Sequence, residues 1–325
     1  MSGGDGISVA LRLAIVGSAA EGGPKFPGAP GKMSTWFLAS FEKALSALDI
    51  STARYTFRQF VDAEVQADAA IFVYAEVRAR RTPDLWRAIE QAGEAAEARN
   101  ILLVHGPLIG RIVADKTLTH QTLSTAGIPM PRMLSGHSVA PFKVFSNEKQ
   151  ATHAPVVMIN PGEPLLPNRY DTEWIDTIHD FRGKRYYVVL RAMCVGPHCL
   201  SIFVRARPVE QRDASVHNTD TPLDAALLNF LHRQIVVPRS AAIASLCARV
   251  AGALGLGFYA HDILPERSTE RVLLCETNFK FCDDLYRQHI WPLRGQLIND
   301  DCLSDDFPQR SAECFAAELR RVLSA

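Results

Sequence analysis

Three side chains near the carboxyl-terminal end carry oxygen atoms of the kind that a hard metal ion binds. They are Asp262, in the segment FYAHDIL, and Glu276 and Asn278, in the segment RVLLCETN. Side chains alternate between the faces of a strand, so Glu276 and Asn278 point the same way where the chain is extended. Antiparallel pairing across the turn PERSTE would bring Asp262 to that face. Two carboxylates and an amide oxygen are typical Mg²⁺ ligands, although an ordinary hairpin with solvated ends gives the same pattern.

These residues lie far from the first part of the chain, where short apolar runs alternate with helical patterns. This alternation is typical of a parallel sheet with helices on its faces. The sequence predicts strands at 13–17, 69–74 and 101–104 and helices at 33–48 and 83–99. A glycine- and proline-rich loop at 18–32 contains neither GxGxxG nor GxxxxGK[ST], so both common nucleotide-binding motifs are missing. His105 follows a strand, where open α/β sheets bind ligands, but packing or capping is its commoner role.

The sequence pattern of the remaining residues predicts the strands and helices that position the carboxylates. Apolar runs bounded by turn residues predict strands, and amphipathic periods predict helices. The predicted strands are 155–159, 186–192, 200–206, 258–264 and 271–276, and the predicted helices are 114–126, 241–254 and 307–323.

Composition narrows the classes of function. Lysine plus arginine equals aspartate plus glutamate at 35 each, so we expect no nonspecific binding to nucleic acid. We expect no membrane attachment, because no apolar run approaches the roughly 20 residues of a spanning helix and the first residues lack the features of a signal peptide. The 7 cysteines show no zinc-type spacing. We therefore expect most of them to be small buried hydrophobes in a reducing cytoplasm.

Several segments, in this order, resemble the ATP-grasp superfamily. The helix ending in LGLG, the strand FYAHDIL and the E-x-N strand are similar to its carboxyl-terminal core, and ADKTLTHQTLSTAGIPMPRM is similar to its DK…GIP-x-P segment. The resemblance implies an α/β (α+β) ATP-grasp fold with an amino-terminal parallel-sheet domain. Its implied boundaries are a tail at 1–10, a pre-ATP-grasp domain at 11–113 and ATP-grasp lobes at 114–325, divided into a small lobe at about 131–172 and a large lobe at about 173–325.

The same resemblance implies roles for individual residues. Asp262, Glu276 and Asn278 would hold the Mg²⁺ of ATP. Arg191 and either Arg205 or Arg207 would stabilise an acyl phosphate, because guanidinium groups bind phosphoryl oxygens bidentately and keep their charge. The implied nucleotide-binding residues are Lys116 at the phosphates, Glu173, Trp174, Ile175 and Asp176 in the hinge TEWIDT, and Asn218 in a loop near the phosphates.

The small lobe departs from the family pattern. The family has a P-V-V-x-K-P strand whose lysine contacts phosphate, whereas this chain has PVVMINPGEP, with Met158, Ile159 and Asn160 in the neighbourhood where the lysine would fall. Lys143 or Lys149 could take its place from a neighbouring loop. After Asn278 the family continues with small residues and proline, but here the segment FKFCDD follows. Its Lys280, Asp283 and Asp284 could recognise an acceptor or could be surface charges.

These observations lead to a primary hypothesis and two alternatives. The first is an ATP- and Mg²⁺-dependent ligase that joins a small-molecule carboxylic acid to an amine through an acyl phosphate. The second is a degenerate, non-catalytic ATP-grasp protein that binds a ligand or partner, because the short span from Pro155 to Glu173 makes the small lobe shorter than the family's. The third is an ATP-grasp kinase for a small molecule. The sequence leaves the oligomeric state undetermined, with a homodimer as one possibility.

Overall fold

The computed structural model describes residues 10–17, 35–149, 156–211, 215–279, 281 and 284–325. The glycine-rich loop predicted at 18–32 lies outside the described residues, as do Pro155, Lys280 and Asp283. The side chains of Asn218 and Asp284 are also outside the described part of the chain.

A four-stranded parallel sheet begins the fold; the sequence predicts a parallel sheet here and three of its four strands. Its strands are β1 Leu11–Gly17, β2 Ile50–Thr56, β3 Ala69–Val73 and β4 Leu102–Val104, in the order β2-β1-β3-β4. The helices of this region are α1 Thr35–Ser46, α2 Phe57–Asp62, α3 Glu76–Arg80, α4 Pro83–Ala98 and α5 Pro107–Val113. The central strands β1 and β3 are nearly fully buried, which explains their continuous apolar runs.

Strand β2 is absent from the sequence prediction. Its segment ISTARYT has one buried residue, Ile50, followed by partly or fully exposed positions. It is one of the two edge strands of the sheet and pairs only with β1 among the described strands. Because an edge strand needs no apolar run on either face, its sequence carries no strong periodic signal.

A second, small sheet follows the helix α6 Lys116–Thr125. Its strands are β5 Val144–Asn147, β6 Val157–Ile159 and β7 Tyr170–Glu173, all antiparallel in the order β6-β5-β7. The carboxylate of Asp115 caps α6 by accepting from the backbone N–H groups of Thr117 (2.9 Å) and Leu118 (3.1 Å), which fixes where the helix starts. Gly127, at φ +74°, follows its end.

The largest sheet is antiparallel and carries the predicted metal ligands. Its strands are β8 Ile178–Phe181, β9 Lys184–Val195, β10 His198–Pro208, β11 Phe258–Pro265 and β12 Val272–Asn278, with the order β10-β9-β11-β12 and β8 paired to β9. The helices of this part are α7 Ala225–Leu231, α8 Val237–Leu254, α9 Asp284–Ile290 and α10 Phe307–Leu323. A π-helical turn, His232–Val236, joins α7 to α8.

The two faces of the large sheet belong to two hydrophobic cores. On one face Cys194 and Tyr259 pack with α8 and with side chains of the first sheet such as Phe72. On the other face Phe258 packs with helices from both ends of the chain, and its ring lies 5.4 Å from Phe41 of α1 and 5.1 Å from Phe315 of α10. Both cores thus join the first sheet to the large sheet, and the predicted boundary at 113/114 stays a prediction.

One helix of the described residues is long and apolar enough, by length and composition alone, to cross a membrane. It spans 225–254, and its most apolar window has a mean hydropathy of 1.4. The sequence expectation missed it because arginines such as Arg239 and Arg249 interrupt the apolar run. Its side chains Ile243, Leu246 and Val250 are buried in the core shared with the large sheet, as in the core helix of a globular protein.

Candidate functional site

The strand register brings the three predicted metal ligands to one face of the large sheet. Asp262 lies opposite Glu276, and Ala260 lies opposite Asn278. The register shifts after Asp262, so that Ile263 pairs with Leu274 and one extra residue of β12 bulges out. The bulge turns Glu276 toward the face that carries Asp262. The amide of Asn278 donates to Oε1 of Glu276 at 3.5 Å. Their role as metal ligands stays a prediction.

Two arginines from neighbouring strands contact Asp262. Arg191 of β9 donates from Nε to Oδ1 at 2.8 Å and from Nη2 to Oδ2 at 3.1 Å. Nη2 of Arg205, from β10, lies 2.8 Å from Oδ1. Burial alone would raise the pKa of Asp262, but the charges of Arg191 and Arg205 hold that pKa well below its usual value. Asp262 is therefore ionised, and the three groups carry a net positive charge.

The structure distinguishes Arg205 from Arg207, which the sequence left as alternatives. Arg207 bonds to the loop that follows β10: its Nη1 donates to the carbonyl of Ser215 at 2.8 Å and lies 3.6 Å from Asp220. Arg205 instead lies beside Asp262 and Arg191. Of the two, Arg205 is the one that joins the cluster on the sheet face.

A small pocket lies beside Glu276 and is also lined by Lys116 and Asn278. The structure thus brings together the predicted phosphate-binding lysine and two of the predicted metal ligands, from α6 and β12. Burial raises the pKa of the neighbouring Cys275 thiol, and the charge of Lys116 lowers it by a smaller amount. Lys116 is therefore close enough to this part of β12 to interact with it electrostatically. The pocket therefore joins a cation to hard oxygen ligands, as a Mg²⁺–phosphate group would need.

The same pocket contains an acidic residue that the sequence analysis missed. Glu76, in the first turn of α3, is only 2% exposed and lines the pocket with Lys116 and Glu276. It comes shortly after β3, at the carboxyl end of a parallel strand. Open α/β sheets bind ligands at these ends, and this rule would have identified Glu76.

The predicted hinge residues make hydrogen bonds and an ion pair with neighbouring residues of the chain. Glu173 pairs with Arg132 at 3.3 Å, and the carboxylate of Asp176 accepts from the backbone N–H of Ile178 at 2.9 Å. The backbone N–H of Trp174 donates to the carbonyl of Lys143 at 2.9 Å. Ile175 is buried. These contacts hold the segment between the small and large sheets in place, and its contact with nucleotide stays a prediction.

Neither lysine proposed as a substitute lines the pocket of Glu276. Nζ of Lys143 lies 4.1 Å from the ring centroid of Trp174, and Lys149 lines a separate cavity beside α6 with Asp171. Met158 lies opposite Phe145 in the small sheet. Within the described residues, Lys116 is the lysine that accompanies Glu276 in its pocket.

Two buried histidines, His105 and His261, make hydrogen bonds and ring contacts within the folded chain. Nε2 of His105 accepts from the backbone N–H of Phe258 at 2.8 Å, and its ring stacks on Phe279 with centroids 3.9 Å apart. His261 lies on the face opposite Asp262, with Nδ1 2.8 Å from the hydroxyl of Thr277. Burial lowers the pKa of His261 to about 4, so it is neutral at physiological pH.

No protein-family model matches the chain, and no curated protein matches it in sequence. Solved structures do match over nearly the full length. A D-alanine–D-alanine ligase from Bacillus anthracis is 13% identical, with a TM-score of 0.52 over 97% of this chain and 99% of that one. An ATP-grasp ligase, PsnB, solved with the precursor peptide PsnA2 and AMPPNP, is 13% identical, with a TM-score of 0.51 over 95% of this chain and 98% of that one.

Proposed function

Because the chain has the ATP-grasp fold, we propose that it is an ATP- and Mg²⁺-dependent ligase that joins a carboxylic acid to an amine. The observation that carries the proposal is the cluster on one face of the large sheet, where Asp262 is bonded to Arg191 and Arg205 and lies opposite Glu276. Acyl-phosphate chemistry requires a place where negative charge is bound and neutralised. This cluster supplies cations and hard oxygen ligands side by side.

The arginines would bind the phosphoryl oxygens. Asp262 fixes the guanidinium plane of Arg191 through two hydrogen bonds and holds Arg205 through one contact, so little side-chain entropy remains to be lost when an anion binds. Both arginines are at most 5% exposed, and electrostatic attraction is stronger there than in water. We assign the acyl phosphate to Arg191 and Arg205 and the nucleotide phosphates to Lys116.

The oxygen atoms of Glu276, Asn278 and Asp262 suit Mg²⁺, but those of Asp262 are already bonded to arginine. Glu276 and Asn278 offer oxygen atoms that a hard cation binds directly. Both oxygens of Asp262 accept from guanidinium groups, so Asp262 would have to share its remaining lone pairs between Mg²⁺ and the arginines. Bound Mg²⁺ would neutralise phosphate charge during transfer.

The substrates follow from the same chemistry. An acyl phosphate forms when a carboxylate takes the γ-phosphoryl group of ATP, and an amine then displaces phosphate. The similar structures include a ligase named for D-alanine and one bound to a precursor peptide, so the proposal covers small-molecule and peptide carboxylates. No protein nucleophile is needed. A cytoplasmic location is part of the proposal and agrees with the free cysteines of the described residues.

Calorimetric titration tests the proposal. The protein is titrated with a nonhydrolysable ATP analogue with and without Mg²⁺, as wild type, Glu276→Gln and Glu270→Gln. Glu270 lies in the exposed turn before β12 and serves as the matched control. We expect Mg²⁺-dependent binding to wild type and Glu270→Gln and its loss in Glu276→Gln. Equal binding to all three proteins would contradict the metal assignment.

A non-catalytic ATP-grasp protein is the second candidate, and one observation favours it. The small sheet has three strands, and its strand Val157–Ile159 contains no lysine, although the family has a phosphate-binding lysine in this stretch. Absence of nucleotide binding at millimolar concentration would support this candidate. Binding followed by transfer to a hydroxyl, seen in product analysis, would support a kinase instead.

A further inference from the structure

Three cysteines that are distant in sequence meet on the face of the large sheet opposite Asp262. They are Cys194 of β9, Cys199 of β10 and Cys247 of α8, and their sulfur atoms all lie within 4.8 Å of one another. No other histidine, cysteine or acidic residue of the described chain joins this group. The proposed ligase chemistry uses none of the three.

The local fold explains how they meet. Cys194 and Cys199 are directly opposite each other at the end of the β9–β10 hairpin, so their side chains share one face. Helix α8 packs on that face and brings Cys247 to them. Cys194 and Cys247 are fully buried among apolar side chains of the core, whereas Cys199 is partly exposed.

We propose that Cys194, Cys199 and Cys247 form a binding site for a thiophilic ion that takes three sulfur ligands. Thiolates select soft ions. Three sulfurs bonded to one ion at roughly 2.3 Å lie roughly 4 Å apart in a trigonal plane and closer in the pyramid of an ion with a lone pair, and either arrangement requires little movement from the observed separation. A disulfide would use two of the sulfurs and leave the convergence of the third from a separate helix unexplained.

Charge favours an ion whose complex is neutral, because the surroundings are apolar and buried charge is costly. Arsenic(III) meets this condition. When arsenous acid binds, three S–H and three As–O bonds break, three As–S bonds form and three water molecules leave, so the product is uncharged. Cuprous ion prefers the same sulfur ligands, and each thiol that binds it as a thiolate releases a proton. Because the ion has a single positive charge, its complex is already negative when a second thiolate binds.

Cys199 gives the ion its route into the site. It is the partly exposed member of the group, whereas Cys194 and Cys247 are buried. An ion arriving from solvent therefore meets the sulfur of Cys199 first, and the two buried sulfurs complete its coordination.

The test uses the full chain, reduced and handled without oxygen, with arsenite and cuprous ion as separate probes. After desalting, elemental analysis gives the ion retained per chain, thiol titration gives the cysteines consumed, and thermal unfolding gives the stabilisation by the bound ion. Wild type is compared with Cys199→Ser and with Cys314→Ser, whose cysteine lies on α10 outside the group.

We expect one ion per chain and three thiols lost in wild type and Cys314→Ser. The affinity should fall by at least roughly tenfold in Cys199→Ser, since even outer contacts of a metal site are worth that much. Retention of arsenite alone supports the neutral complex, and retention of cuprous ion alone supports a trigonal copper site. Retention of neither ion, or equal retention by Cys199→Ser, overturns the proposal. No nucleotide is used, so either result leaves the proposed ligase function unchanged.

Discussion

Asp262 and Arg191 lie directly opposite each other in β11 and β9, and two hydrogen bonds of 2.8 and 3.1 Å join their side chains. Asp262 therefore has a structural role as the counter-ion of buried arginines, besides the metal-binding role predicted for it. Glu276, its other cross-strand neighbour, is only partly buried. The two carboxylates should respond differently to substitution.

Replacing Asp262 should destabilise the fold. The variant Asp262→Asn leaves two buried guanidinium groups without their counter-ion, and we expect the free energy of unfolding to fall by about 3–5 kcal/mol. Urea denaturation monitored by circular dichroism measures the change. Asp84→Asn is the control, because its pair with Arg87 is exposed and should contribute little. A change below about 1 kcal/mol in Asp262→Asn would show that the pair is not a structural ion pair.

Replacing Glu276 should leave stability nearly unchanged. Glutamine has the same shape, and its amide can still accept from Asn278. We expect Glu276→Gln to unfold within about 1 kcal/mol of wild type in urea, although it loses Mg²⁺-dependent nucleotide binding. A large destabilisation would instead mean that Glu276 is an unrecognised part of the buried ion-pair network.

Lys116 should contribute to nucleotide affinity through its charge. It lines the pocket of Glu276 and Asn278, and a hydrogen bond to a charged group is worth about 1.5–3 kcal/mol. We expect Lys116→Met to weaken binding of the ATP analogue by roughly tenfold or more. Lys184→Met, at the exposed start of β9, should bind as wild type does. Equal affinity of both variants would remove Lys116 from the site.

Stability should fall as the pH is lowered through about 6.5, the ordinary pKa of histidine. Burial lowers the pKa of His120 in the fold, so the unfolded state binds more protons below that pH and is favoured. The urea midpoint measured between pH 7.5 and pH 5.5 should fall less in His120→Gln than in wild type. The exposed His137 supplies the control, His137→Gln, whose slope should match wild type. A residual slope is expected, because burial also lowers the pKa of His179 and His232.

Two glycines in helices should respond in opposite directions to alanine. In Gly110→Ala the added methyl group would overlap the hydroxyl of the buried Tyr74. This hydroxyl donates to the carbonyl of His105 at 3.0 Å. We expect a loss of about 1–3 kcal/mol in unfolding free energy. Gly252, in α8, has open space at the same position, and Gly252→Ala should gain about 0.5–1 kcal/mol. Equal effects in the two variants would contradict the close packing of α5 on Tyr74.

The sequence by itself determined the elements that follow a local period. The buried strands of the first sheet and the helix α10, which runs over the predicted residues, follow directly from apolar spacing. The common direction of Glu276 and Asn278 also follows, because the period of a strand is a property of its own backbone. The resemblance of the ordered motifs gave the ATP-grasp fold. The edge strand β2 was missed because exposure removes the apolar signal.

Only the tertiary structure decided which distant side chains meet. The bond between Asp262 and Arg191 depends on the register of β11 against β9, and the bulge of β12 after Leu274 depends on its pairing with β11. The entry of Glu76 into the pocket and the approach of Cys247 to the hairpin depend on how α3 and α8 pack. These contacts join segments far apart in the chain, and they arise from burial and packing of whole elements, which no local spacing of residues encodes.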